Sequence, residues 1–233
     1  MKIGIIVAMS SEYKQVAQLL EEKKEYTEGI YSYTEGKSKG NTLILTQCGI
    51  GKVNAAAGAV ELIRTFQPDC IISTGVAGGI DKCLKVMEVV ASSQIVYHDV
   101  WCGEGNAYGQ IQGMPAIFEG NKTLLDCAMA LDTDTPIHGG LICSGDKFIT
   151  DREELNVIKG NFPEGLAVDM ESGAIAQVCH IYIRYHSSVS ASSAIHREPK
   201  TIGNNIPTSG AKWPTVHSAS PKRSSNHYQQ KFN

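Results

Sequence analysis

From Lys2 to Met9 the chain is an almost unbroken apolar run, which predicts a strand buried on both faces. The period then changes. Val16, Leu19 and Leu20 lie on one helical face, with Ser10 or Ser11 placed to cap that helix and Glu12 in its first turn. Ile30 to Thr34 and Thr42 to Gln47 alternate as paired strands around a Gly36 to Gly40 turn. A glycine turn at Gly49 to Gly51 leads into an alanine-rich helix that runs to about Phe66. Cys70 to Thr74 is a second buried strand, followed by a glycine turn at Gly75 to Gly79. Val86 to Ala91, Gln94 to Asp99, Gly139 to Ser144 and Leu166 to Val168 predict further strands, with helices over Thr123 to Leu131 and Arg152 to Lys159 and a polar loop from Trp101 to Gly113. A last helix begins with Ser172, Gly173, Ala174 and Ala176, side chains small enough for close packing. Strands alternating with helices predict an α/β sandwich with a mixed, largely parallel sheet.

The pattern stops near His180. Up to that point the chain carries 14 Lys+Arg against 23 Asp+Glu; from Ile181 onward it carries 7 against 1. The last 53 residues are rich in Ser, His, Asn and Pro and show no apolar period. This divides the chain into one α/β domain, 1–182, and an irregular tail, 183–233. The formal net charge of -3 gives no sign of a nucleic-acid or membrane partner. Seven scattered cysteines with no C-x-x-C pair read as free thiols in a reducing compartment rather than a disulfide framework or a metal site. With no apolar segment of spanning length and no leader pattern, the expectation is a cytoplasmic protein.

Four predicted strand ends carry residues suited to chemistry: Met9 with Glu12, Gly49 to Gly51, Gly75 to Gly79, and Met170 with Glu171. In a parallel α/β sheet such ends gather on one edge. Glu171 reads either as an acid favoured by a helix N-terminus or as a ligand-facing carboxylate. Two carboxylates on one edge suit hydrolysis through an oxocarbenium-like transition state, one activating water and the other holding sugar hydroxyls. Phe148 is placed to stack on a base or to pack in the core. His98 and Asp99 either line a pocket or bond to each other.

The motifs M-K-I-G-I-I-V-A-M-S-S-E, C-G-I-G-K-V-N-A-A, S-T-G-V-A-G-G, Y-H-D-V, Y-G-Q-I-Q-G-M-P, S-G-D-K-F-I and V-D-M-E-S-G-A-I-A-Q-V-C-H follow one another in an order and spacing that resembles the 5'-methylthioadenosine/S-adenosylhomocysteine nucleosidases of the nucleoside phosphorylase superfamily. The resemblance covers about residues 1–182 and implies a three-layer α/β/α sandwich. It implies hydrolysis of the N-glycosidic bond of 5'-thioadenosines to adenine and a thioribose, a step in methionine salvage. Glu12 would activate the attacking water and Glu171 would grip the ribose hydroxyls beside Met170. Phe148 would stack on adenine, the Ile149 backbone would read the base edge, and Met9 and Ile50 would wall the 5'-alkylthio group. Tyr108 and Pro115 would reach into a neighbouring subunit's pocket, implying a homodimer. No metal or organic cofactor is implied. Val76 stands where the family usually has serine, and the Trp101 to Gly105 loop differs from the commonest version. A purine nucleoside phosphorylase and a non-catalytic nucleoside-binding protein are the alternatives. Glu12 next to the first turn, with no arginine there, repels phosphate and favours water.

Past His180 the family pattern should continue with a strand, an arginine and I-S-D, whose aspartate protonates N7 of adenine. Residues 181–233 contain no Asp, and Glu198 is their one acid. Codons permitted for Arg184 to Glu198, read from each third base, can encode L-P-F-I-S-F-R-I-I-S-D-T-P-G. From Lys212 the same frame can give M-A-D-R-S-F-S-L. A shifted reading frame therefore accounts for the tail. The chain as translated is expected to lack the general acid and its strand, and so to be weakly active at best.

Overall fold

The structure is a computed structural model that describes residues 1–182 and the backbone of 190–195. The elements in chain order are β1 (Lys2–Val7), α1 (Ser10–Gln18), β2 (Glu21–Glu28), β3 (Tyr31–Ser38), β4 (Asn41–Gln47), α2 (Lys52–Phe66), β5 (Cys70–Gly79), β6 (Val89–Tyr97), β7 (Phe118–Glu119), α3 (Lys122–Met129), β8 (Ile137–Ser144), α4 (Arg152–Asn161), β9 (Gly165–Asp169), α5 (Ser172–Ile181) and β10 (Ser190–Ile195).

Nine strands follow one another as β10-β6-β8-β9-β5-β1-β4-β3-β2, with β7 attached to β6. The β1 pairings with β4 and β5, and the β8 pairings with β6 and β9, are parallel; the β2–β3–β4 meander and the β5–β9 contact are antiparallel. Because β10 pairs with both β5 and β6, five strands (β5, β10, β6, β8, β9) close a ring at one end of the mixed sheet. The periodicity missed β2: its sequence, EEKKEYTE, is exposed throughout and has no apolar face to signal a strand. Val86 to Ala91 and Gln94 to Asp99 are one strand, irregular between Ser92 and Gln94, where the apolar alternation breaks. Gly75 to Gly79 is not a turn but the second half of β5.

The expected irregular tail and missing strand are corrected for six residues. Ser190–Ile195 lies in the sheet, with Ser190 opposite Ser73 and Ala191 opposite both Thr74 and Ala91. Backbone ladders need extended geometry and free N–H and C=O groups rather than particular side chains, so a stretch unlike the family pattern still fills the slot. Of the reading placed on Arg184 to Glu198, residues 184–189 and 196–198 lie outside the described residues, as does everything from Lys212 onward.

The main core lies between the sheet and α2 with α5, where Ile6, Ile44, Leu62, Ile63, Ile71 and Ile175 are almost fully buried. Along α5 every residue from Ser172 to Ala176 is buried, as its small side chains predicted. A Cβ on Gly173 would lie 2.6 Å from the Tyr97 ring and 2.9 Å from the Ser144 Cβ. That ring is held by its hydroxyl, which donates to Gln177 at 2.8 Å. Gly173→Ala should therefore destabilise the fold by about 1–3 kcal/mol through overpacking. Gly160→Ala, on the open face of α4 with no atom within 4 Å of the added Cβ, should be neutral or stabilise by about 0.5–1 kcal/mol. Thermal or urea unfolding of the two variants beside the unaltered chain checks both signs.

Candidate active site

Three chain segments meet where β1 ends, where β5 crosses to β9 and where β9 turns into α5. The antiparallel contact of Gly78 with Val168 carries the middle of β5 past the carboxyl end of β9. The pocket formed there is lined by Glu12, Cys48, Thr74, Val76, Asp169 and Glu171 among others, and among the described residues no lysine or arginine lines it. It has about 20 Å³ in which a water can be centred, room for one or two molecules.

Glu12 is the third residue of α1, and its carboxylate reaches back to N–H groups that precede the helix. One oxygen accepts from the backbone N–H of Ala8 at 3.1 Å and of Met9 at 2.9 Å. Met9, not a serine, is the N-cap, and Ser10 Oγ donates instead to Gln47. The second Glu12 oxygen accepts from the Val76 N–H at 3.0 Å. That bond depends on Gly75, where a Cβ would sit 2.6 Å from the same carboxylate. Burial raises the Glu12 pKa above the ordinary value, opposed by these three backbone donors.

Glu171 stands at a helix N-terminus and also lines the pocket. It is the N-cap of α5, yet its side chain makes no cap bond to its own helix. One oxygen reaches across 120 residues to accept the Gly51 N–H at 2.8 Å. Burial pushes its pKa up to about 7; the Gly51 bond opposes this, and the charges of Asp169 and Glu12 add to it. Asp169, also shifted upward by burial, accepts from Ser172 Oγ at 2.8 Å and from the Ser172 N–H at 3.2 Å. Three carboxyl groups thus share one pocket.

The predicted residues divide by position. Glu12, Val76 and Glu171 line the pocket. Met9 and Met170 are their half-buried chain neighbours. Ile50 is 53 % exposed on the turn before α2, and Phe148 is 66 % exposed after β8, with the half-buried Ile149 next to it. Tyr108 and the half-buried Pro115 belong to the long segment between β6 and β7; Tyr108 donates its hydroxyl to its own chain's His98 carbonyl at 3.0 Å. His98 and Asp99 make no bond to each other among those described. The His98 ring is buried against Gly145, with Nε2 lacking a hydrogen-bond partner among the described residues, whereas Asp99 pairs with Lys52 at 2.6 Å. Sequence reasoning gave no role to Cys48 or Asp169, which line the pocket; Asp169 sits two residues before Glu171, in the same quoted motif. All seven cysteines are free thiols, and four of them, Cys48, Cys70, Cys143 and Cys179, are buried. Among the described residues no helix is long and apolar enough to cross a membrane.

The profile of the phosphorylase superfamily matches residues 2–205, past the point near His180 where the quoted motifs end. The 5'-methylthioadenosine/S-adenosylhomocysteine nucleosidase of Actinobacillus succinogenes is 43% identical over 185 residues, which is 78% of this chain and 80% of that protein. The Neisseria meningitidis nucleosidase of the same name, solved with methylthio-immucillin-A, superposes with a TM-score of 0.77 at 37% identity over 82% of this chain and 83% of the other. The Colwellia psychrerythraea nucleosidase, solved with adenine, has a TM-score of 0.78 at 37% identity, covering 83% and 81%. On fold, motif order and extent of identity, the chain belongs to the phosphorylase superfamily, in its 5'-methylthioadenosine/S-adenosylhomocysteine nucleosidase family.

Proposed function

We propose that this fold hydrolyses the N-glycosidic bond of 5'-thioadenosines such as 5'-methylthioadenosine and S-adenosylhomocysteine, releasing adenine and a thioribose. The observation that carries this is the pairing of Glu12 and Glu171 in a pocket that, among the described residues, no basic side chain lines. A phosphate dianion there would meet carboxylates at short range, whereas a neutral water is attracted to them. Glu12, held by three backbone donors and raised in pKa, is placed to take a proton from that water near neutral pH. Glu171 accepts ribose hydroxyls more strongly as the ring flattens and gains positive charge.

Phe148 stacks on the adenine and the Ile149 backbone reads its edge, while Met9, Ile50 and Met170 contact the sugar and its 5' substituent. Val76 offers no hydroxyl toward the water, so its backbone N–H to Glu12 is its main contribution. Tyr108 and Pro115 complete the pocket of a second subunit in a homodimer. A cytoplasmic place in methionine salvage fits a chain with seven free thiols.

Incubation with 5'-methylthioadenosine, with and without inorganic phosphate, tests the reaction class. The expected products are adenine and free methylthioribose in both cases, at the same rate. Appearance of methylthioribose 1-phosphate would replace hydrolysis with phosphorolysis.

A further inference from the structure

The Gly51 N–H that meets Glu171 belongs to a turn that is itself anchored from outside the pocket. The next residue, Lys52, donates its backbone N–H to Asp146 Oδ1 at 2.9 Å. Its ammonium donates to Asp99 Oδ1 at 2.6 Å and lies 4.5 Å from the centre of the Tyr97 ring. The other Asp99 oxygen accepts the Asp146 N–H at 2.7 Å. Lys52 and Asp99 side chains are only 22% and 26% exposed. Gly51 has φ +93, a left-handed conformation, and a Cβ there would lie 2.7 Å from Asp146 Oδ1. The start of α2 is thus clamped to the ends of β6 and β8 by a closed set of charge-assisted hydrogen bonds.

We infer that Lys52, Asp99 and Asp146 form a positioning brace whose work is to hold the Gly51 N–H on Glu171, and so to place the carboxylate that faces the pocket. None of the three lines that pocket. Without the brace, a glycine in this backbone region is free to leave it, because it has many alternatives of similar energy. The titratable groups that act on Glu171 are Glu12 from α1, Asp169 from β9 and Cys48 after β4. Two of these are acids, and burial holds the Cys48 thiol up at about 12. The Gly51 donor is therefore a principal feature favouring the ionised form.

The brace and a bulk charge effect have opposite signs, which makes the inference testable. Deleting a nearby negative charge should lower the Glu171 midpoint; releasing the Gly51 donor should raise it. The measurement is the carboxyl ¹³C titration of Glu171 in the ligand-free full chain, assigned with Glu171→Gln. In Asp146→Ala the midpoint should rise by roughly one unit, and in Asp146→Asn, which keeps the acceptor for Lys52, it should stay near that of the unaltered chain. Asp99→Ala supplies a second variant that leaves Asp146 in place and should also raise the midpoint. A midpoint that falls or stays put in the alanine variants, with native circular dichroism, overturns the brace. The ligand consequence rests on the proposed ribose role and is read separately by calorimetry with 5'-methylthiotubercidin at pH 7. A rise of one unit from about 7 should weaken binding on the order of fivefold. If the unaltered chain does not bind that analogue, the proposed function falls, while the titration still decides the brace.

Discussion

Replacing residues 184 onward by the alternative-frame tail should raise adenine release from 5'-methylthioadenosine by about 10²–10⁴-fold. The leaving adenine departs as an anion unless it is protonated as the bond breaks. The nucleosidase pattern supplies that proton from the aspartate of I-S-D, and residues 181–233 contain no Asp. The aspartate codon of the other frame straddles Ala194 and Ile195, at the end of β10. That strand starts opposite Ser73 and Thr74, two residues that line the pocket, so the acid would be delivered by a strand already docked beside the site. The chain as it stands therefore keeps the slot and the two carboxylates proposed to activate water and hold the ribose, Glu12 and Glu171, but has no aspartate at that place. Initial rates of the two chains at saturating substrate measure the difference, and Glu12→Gln should silence both. Analogue affinity should differ by only a few-fold, because the acid acts on the leaving group and not on the ribose. Equal rates from the two tails would remove the aspartate from the mechanism and point to another donor in this chain.

The regular elements were legible where burial imposes a period. β1, α2 and the β9 to α5 junction followed from apolar runs and small residues because these segments are buried on two sides or packed at close range. The exposed β2 left no such trace, and the glycines of β5 looked like a turn because they serve a crossing, with Gly75 giving room to the Glu12 carboxylate. Glu12 and Glu171 were legible as acids at strand ends. Their partners were not, since the Gly51 and Val76 donors are backbone groups that no side chain announces. For Asp99 the sequence offered a pocket or a bond to His98 and left out its partners Lys52 and Asp146, because adjacency is a poor guide across a strand end and these lie 47 residues away on each side. The tail was legible as foreign in composition, but its residues 190–195 were not legible as a strand, because backbone ladders require no particular side-chain pattern.

Glu171→Gln should make the fold more stable at neutral and alkaline pH while weakening the binding of a 5'-thioadenosine analogue. The native pKa of Glu171 is raised to about 7 from a model-peptide value of 4.5. Between those values the native state keeps the proton and the unfolded state has lost it, so stability falls as pH rises through this window. Above pH 7 the buried carboxylate is ionised beside Glu12 and Asp169, and the accumulated cost is on the order of 3 kcal/mol. A neutral amide of the same shape keeps an acceptor for the Gly51 N–H and removes that cost. The difference in unfolding free energy between variant and parent should therefore be small at pH 4.5 and largest above pH 7.5, as read by urea unfolding across that range. Binding has the opposite dependence. Only the ionised carboxylate accepts two ribose hydroxyl protons well, so parent affinity should fall up to tenfold per unit as pH drops below 7, and the variant should be weak and nearly flat. A variant that is less stable than the parent at pH 8, or that binds as tightly, would assign the Glu171 charge to the fold and not to the ligand. The gain in stability with loss of binding is the pattern of a residue kept in an unfavourable charge state for the sake of its site.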